Sequence, residues 1–131
     1  MKLSQVFGIS AIIAIAFGLA FVFAPVQTIA AYGPEVNTPA WRYVAQLFGG
    51  AMLGFGTMNW LARNTADSEA RHALVVGNLV AMVVGLALSL IAQLQGVVNS
   101  LGWSTVLIYG VLALGFARFA FAHRSNPAHA Y

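Results

Sequence analysis

The stretch Trp41-Arg-Tyr-Val-Ala-Gln-Leu-Phe-Gly-Gly-Ala-Met-Leu-Gly-Phe-Gly-Thr-Met-Asn-Trp-Leu-Ala-Arg63 decides how this chain is read. At about 1.5 Å per residue it is long enough to cross a hydrocarbon core roughly 30 Å thick. Yet it carries Arg42, Gln46, Thr57 and Asn59, and it crowds Gly49, Gly50, Gly54 and Gly56 together. A segment that only anchors a protein has no need of that mixture.

The surroundings are more apolar still. Of 131 residues, 60% are hydrophobic and only 7% are charged, more apolar surface than a soluble domain of this size can hide. Composition therefore places the chain in the membrane class. The formal net charge of +3 comes from basic residues scattered singly along the chain, so no nucleic-acid footprint is present. With no cysteine there is no disulfide framework, thiolate metal site or thiol nucleophile.

Upstream of the quoted stretch, residues 25–40 hold Pro25, Pro34, Pro39 and Gly33, which forbid one long helix. This is an outer connection lying on the membrane surface or capping the helices, and Thr38-Pro39 reads as a helix start with Thr38 as cap. Before it, residues 3–24 form an apolar run opened by Lys2 and closed by Pro25. A signal peptide with Thr28-Ile29-Ala30 as cleavage site is the rival reading. The run exceeds the roughly 7–15 residues of such an apolar region, so it reads as a transmembrane helix.

Downstream, residues 64–71 are a polar turn in which Asp67 or Ser68 caps the next helix and Glu69 sits in its first turn. Spans of about 72–94 and 103–122 follow, joined by residues 95–102 and trailed by the polar tail 123–131. The expectation is one all-α integral membrane domain over residues 1–131, a four-helix bundle with spans at about 3–24, 41–63, 72–94 and 103–122. A cytoplasmic N-terminus puts Lys2, Arg63, Arg71, Arg118 and Arg124 inside and only Arg42 outside. That positive-inside asymmetry places both termini in the cytoplasm.

At 100° per residue, Arg42, Gln46, Gly49, Leu53, Gly56, Trp60 and Asn64 share the sector expected to face the bundle. Val44, Leu47, Phe48, Ala51, Phe55 and Met58 point to lipid, and Asn59 lies on the flank. Gly50-x-x-x-Gly54 adds a small-residue surface for close helix approach. In the third span Arg71, Asn78, Gly85, Ser89 and Gly96 share a face flanked by Met82 and Gln93, and Ala73, Gly77, Ala81, Gly85 and Ser89 form a ladder suited to helix packing. In the fourth, Thr105, Tyr109, Ala113, Phe116 and Ala120 face inward, while Arg118 snorkels to the headgroups. The first span offers Ser10 alone as an interior polar group.

Depth then groups Arg42, Gln46, Ser89, Gln93, Gln95, Thr105 and Tyr109 in the outer half, roofed by residues 25–40. Arg42, Gln46, Ser89, Gln93, Thr105 and Tyr109 are the candidate ligand-binding residues. The Arg42 fork suits a carboxylate, a phosphate or a quinone oxygen; its plainer use is a pair with Glu35 or contact with lipid phosphate. A second, cytoplasmic set comprises Asn59, Asn64, Arg71, His72 and Asn78, and Asn78 needs an interhelical hydrogen-bond partner. No carboxylate falls within a span, which speaks against proton-coupled transport. His72, His123 and His129 all stand at or beyond the cytoplasmic boundary, a poor arrangement for haem. Glu35, Asp67 and Glu69 lie in different segments without metal-ligand spacing, so no catalytic residue, metal or cofactor is expected.

Gly49-Gly50-Ala51-Met52-Leu53-Gly54, Asn59-Trp60-Leu61-Ala62-Arg63 and Val98-Asn99-Ser100-Leu101-Gly102-Trp103 resemble segments of small bacterial four-helix membrane proteins of the DoxX-like and related uncharacterised families. The likeness covers the four-span layout over nearly the whole chain. It implies a bacterial inner-membrane protein, in a group where some members are linked to quinone-dependent redox complexes; it carries over no catalytic residue. The expected function is a non-catalytic accessory or interaction subunit, self-associating as a homo-oligomer or docked on a larger membrane complex and in contact with membrane lipid. The alternative is a binding protein or transporter for a lipid-like or quinone-like hydrophobic small molecule.

Overall fold

The computed structural model describes residues 1–35 and 38–125, with side chains described through residue 122. The described residues form five helices in order: α1 (Leu3–Phe23), α2 (Pro25–Ala30), α3 (Pro39–Ala62), α4 (Glu69–Leu94) and α5 (Gly102–Ser125). No strand occurs among the described residues. Among the described residues, three helices are long and apolar enough to cross a membrane: α1, α4 and the Gly102–Ala122 part of α5. They describe a multi-pass membrane protein. At 24 residues α3 has the length, but Arg42, Gln46 and Asn59 keep it below that apolarity.

The helix boundaries follow from local chemistry. Pro25 disfavours helical backbone in the residue before it, and Ala24 takes φ −140°, separating α1 from α2. The Thr28 hydroxyl then donates to the carbonyls of Ala24 and Ala20, at 2.7 and 3.1 Å, across that break. Thr38 caps α3 by accepting the Trp41 N–H at 3.4 Å, with Pro39 in the first helical position. Ser68 caps α4 by accepting the Arg71 N–H at 3.1 Å. Gly96, at φ +71°, ends α4: its N–H bonds Gln93 O and that of Val97 bonds Ala92 O, the paired bonds of a left-handed helix cap. Gly96 thus terminates α4 instead of extending its inward face.

Each long helix runs antiparallel to its neighbour. The closest pair is α1 and α3, where bare backbones touch. A Cβ placed on Gly49 would stand 2.8 Å from the Gly18 carbonyl oxygen, and one on Gly56 would stand 2.7 Å from Ile15. Gly18, Gly49 and Gly56 are therefore the glycines that α1 and α3 need. Pairing of α4 with α5 is also extensive, with the Tyr109 ring lying against Gly85. The two pairs join through α1 and α5, where Phe7 and Phe116 meet edge to face at 5.5 Å. The helices α3 and α4 touch sparingly.

The core lies toward the end that carries the N-terminus, here the proximal end, and includes Val6, Phe7, Ala62, Val75, Met82, Leu112, Ala113, Phe116 and Ala120. Ser10, Asn59 and Asn78 are buried among these residues, while Leu61, Leu88, Leu107 and Leu114 stand outside. Polar groups within and leucines without is the arrangement a lipid solvent favours.

The inward face of α3 differs from the sequence expectation. It runs through Ala45, Gly49, Gly56, Asn59 and Ala62, turned by about one residue's step around the axis. Asn59 is central and fully buried, Trp60 and Asn64 are exposed, and Phe55 packs against the core instead of facing lipid. Gly50, Gly54 and Gly77 look onto open space, and Ala81 is exposed. Of the five residues assigned to helix packing, only Gly85 meets a neighbouring helix closely within this chain.

Candidate functional site

Three polar groupings remain once the apolar packing is accounted for. The innermost is an amide pair. Asn59 Nδ2 donates to Asn78 Oδ1 at 2.7 Å, and Asn78 Nδ2 donates to Asn59 Oδ1 at 2.8 Å. The second hydrogen of Asn59 reaches Ser10 Oγ at 3.1 Å, and that of Asn78 reaches the Leu74 carbonyl at 2.8 Å. Three helices are tied together, and both amides use both donors. With no spare donor this grouping is mechanical, and the partner that Asn78 requires is Asn59.

Other members of the expected cytoplasmic set serve the proximal boundary. Arg71 pairs with Asp67 at 3.1 Å and donates to the Thr65 carbonyl, closing the α3–α4 turn. Arg63 stacks 3.6 Å over the Trp60 ring and donates to the Trp60 carbonyl. His72 is half-buried at the start of α4. The His123 side chain and all of His129 lie outside the described residues, and no metal-binding group of acidic and histidine side chains occurs among those described.

The second grouping latches two loops at the distal end. Asn99 takes the Tyr32 carbonyl through its N–H at 2.8 Å and the Ala31 carbonyl through Nδ2 at 3.0 Å. Its Oδ1 accepts the Leu101 N–H at 3.0 Å, and its carbonyl accepts Gln93 Nε2 at 3.3 Å. Gln93 Oε1 is buried without a hydrogen-bond partner, beside Gly102. Thr105 Oγ1 donates to the Tyr32 hydroxyl at 3.1 Å. Gly33, at φ +108°, makes the turn that brings the chain against Asn99. Sequence reasoning missed Asn99 as a hub, because its partners are mostly backbone atoms distant along the chain.

The third grouping is a cleft of about 390 Å³ between α2 and the start of α3, lined by Pro25, Val26, Gln27, Pro39, Arg42, Tyr43 and Gln46. Gln46 Nε2 donates to the Val22 carbonyl at 3.1 Å, satisfying an acceptor in the last turn of α1. Among the described residues the Arg42 guanidinium makes no hydrogen bond or ion pair, with Glu35 or otherwise. Among the described residues no carboxylate lines the cleft.

The six expected ligand-binding residues are therefore divided. Arg42 and Gln46 share the cleft. Gln93 and Thr105 belong to the loop latch, Tyr109 packs on Gly85, and Ser89 Oγ donates to its own helix at Leu86 O. The segment expected as a roof reaches both groups, through α2 to the cleft and through Tyr32 to Thr105.

Compared with known proteins, the chain matches no family model, no curated protein and no solved structure.

Proposed function

We propose that this chain is a non-catalytic interaction subunit of a bacterial inner membrane, self-associating or docked on a larger membrane complex. In this reading α3 is a fourth span, the four long helices form one bundle, and both termini are cytoplasmic. The kinship to DoxX-like proteins belongs to the same proposal. One observation carries it: Gly50, Gly54 and Gly77 face open space on long helices. Glycine costs a helix about 1 kcal/mol relative to alanine, and the chain's own packing uses Gly18, Gly49, Gly56 and Gly85 instead. Bare backbone on an outer face suits a second helix approaching from another chain, since lipid-embedded helices associate by close packing. Native mass spectrometry in a gentle detergent tests this. The wild type gives a species heavier than one 13.9 kDa chain, and Gly50→Ile with Gly54→Ile returns it to monomer. A wild type that is only monomeric contradicts the reading.

A second reading, a binding protein or transporter for a lipid-like or quinone-like molecule, is favoured by the cleft and by an Arg42 that has no hydrogen-bond or ion-pair partner among the described residues. It predicts a co-purifying small molecule that is lost from an Arg42→Ala, Gln46→Ala variant. Unchanged ligand content in that variant rules the site out.

A further inference from the structure

Resting on that second reading, we propose that the Arg42 cleft binds a phosphate group, with a phospholipid headgroup and free phosphate as its two sources. A guanidinium presents a planar fork of donors that matches two oxygens of one phosphate. In the cleft this fork has no competing carboxylate and no hydrogen-bond partner among the described residues. Arg42 stands in the opening turns of α3, whose N-terminal end adds partial positive charge on the same side. A phosphate gains from both charges, whereas a neutral ligand gains only hydrogen bonds.

Size and surroundings agree with a headgroup. The volume of about 390 Å³ lies at the small end of ligand pockets, room for a headgroup and not for a whole lipid. Trp41 and Tyr43 are exposed on either side of Arg42 in sequence, the residue types enriched at headgroup depth. Leu47, one turn further along α3, and Phe23, at the end of α1, are also exposed and offer an apolar surface for acyl chains. Gln27 and Tyr43 are further polar residues among those lining the cleft.

The test uses the full chain in gentle detergent, titrated with phosphatidylglycerol, inorganic phosphate or a short-chain benzoquinone and followed by native mass spectrometry. Wild type retains one phosphatidylglycerol. Arg42→Gln weakens retention about tenfold or more, as expected for loss of a bidentate charge-assisted contact. Arg42→Lys, which keeps the charge and loses the fork, falls between, and Arg118→Gln on α5 matches wild type. Phosphate that displaces the lipid assigns a free-anion site; phosphate that fails to do so assigns a headgroup site. Phosphatidylglycerol retention equal to wild type in both Arg42 variants overturns the proposal. Should quinone binding depend on Arg42 in that case, the second reading survives without the phosphate; should neither ligand depend on it, both fall.

Discussion

Asn59 and Asn78 exchange two hydrogen bonds, 2.7 and 2.8 Å long, between two helices that otherwise touch sparingly. Both residues are almost wholly buried, and Ser10 extends the pair to α1. Removing one partner leaves the other amide buried with unmet hydrogen-bonding groups, at a cost of roughly 1–3 kcal/mol. Asn59→Leu and Asn78→Leu should each lower the melting temperature in detergent. The double variant should lose clearly less than the sum of the two, because no orphan amide remains. Strict additivity in that cycle would show that the pair does not act as a unit.

The glycines of α3 divide into two kinds. Gly49→Ala forces a Cβ to 2.8 Å from the Gly18 carbonyl and the Phe21 side chain, so it should destabilise by about 1–3 kcal/mol. Gly50→Ala, one residue later, meets nothing and should leave the isolated chain unchanged or slightly more stable, by alanine's better helix propensity. Thermal unfolding of both variants in detergent distinguishes them; equal losses would contradict the assigned α1–α3 contact.

Asn99 holds the distal loops together. Asn99→Ala removes the side-chain bonds to Ala31 and Leu101. Amide hydrogen exchange should then accelerate at Tyr32, Gly33 and Gly102, while the amides around Asn59 keep their protection. Exchange that rises equally at both ends would mean the latch governs the whole fold.

Topology is checkable because the chain contains no cysteine. If α3 crosses the membrane, Ser100→Cys reacts with an impermeant maleimide added to intact cells. Thr65→Cys, in the α3–α4 turn, reacts only after the membrane is opened. Labelling of Thr65→Cys from outside with Ser100→Cys protected would mean either that α3 is not a span or that the orientation drawn from the basic residues is reversed.

Much of this architecture was legible in the sequence. Thr38-Pro39 and Ser68 mark helix starts as their chemistry dictates, and the inward residues Asn78, Met82, Ala113, Phe116 and Ala120 were placed correctly by periodicity. The inward face of α3 was not. Its wheel was oriented by Arg42 and Gln46, but polar groups near a helix end can reach headgroups or loop carbonyls without facing the interior. The face is set instead by Asn59, whose partner lies 19 residues away on another helix. Periodicity within one helix carries no record of that partner. The same limit hid the Gly18–Gly49 contact, since α1 showed no small-residue motif as plain as Gly50-x-x-x-Gly54. The candidate site was legible in Arg42 and Gln46 and not in Asn99, whose role depends on loop geometry.

The central claim is that the glycine face of α3 meets another protein helix. Its most direct test is a thiol-anchored photoreactive group at Gly54→Cys, irradiated in native membranes, with Leu114→Cys, at an exposed position of α5, as the control. A single defined protein adduct at Gly54→Cys, at twice 13.9 kDa or at the mass of one partner complex, and absent at Leu114→Cys, is the predicted result. Lipid adducts alone, with the same pattern at both positions, would contradict it.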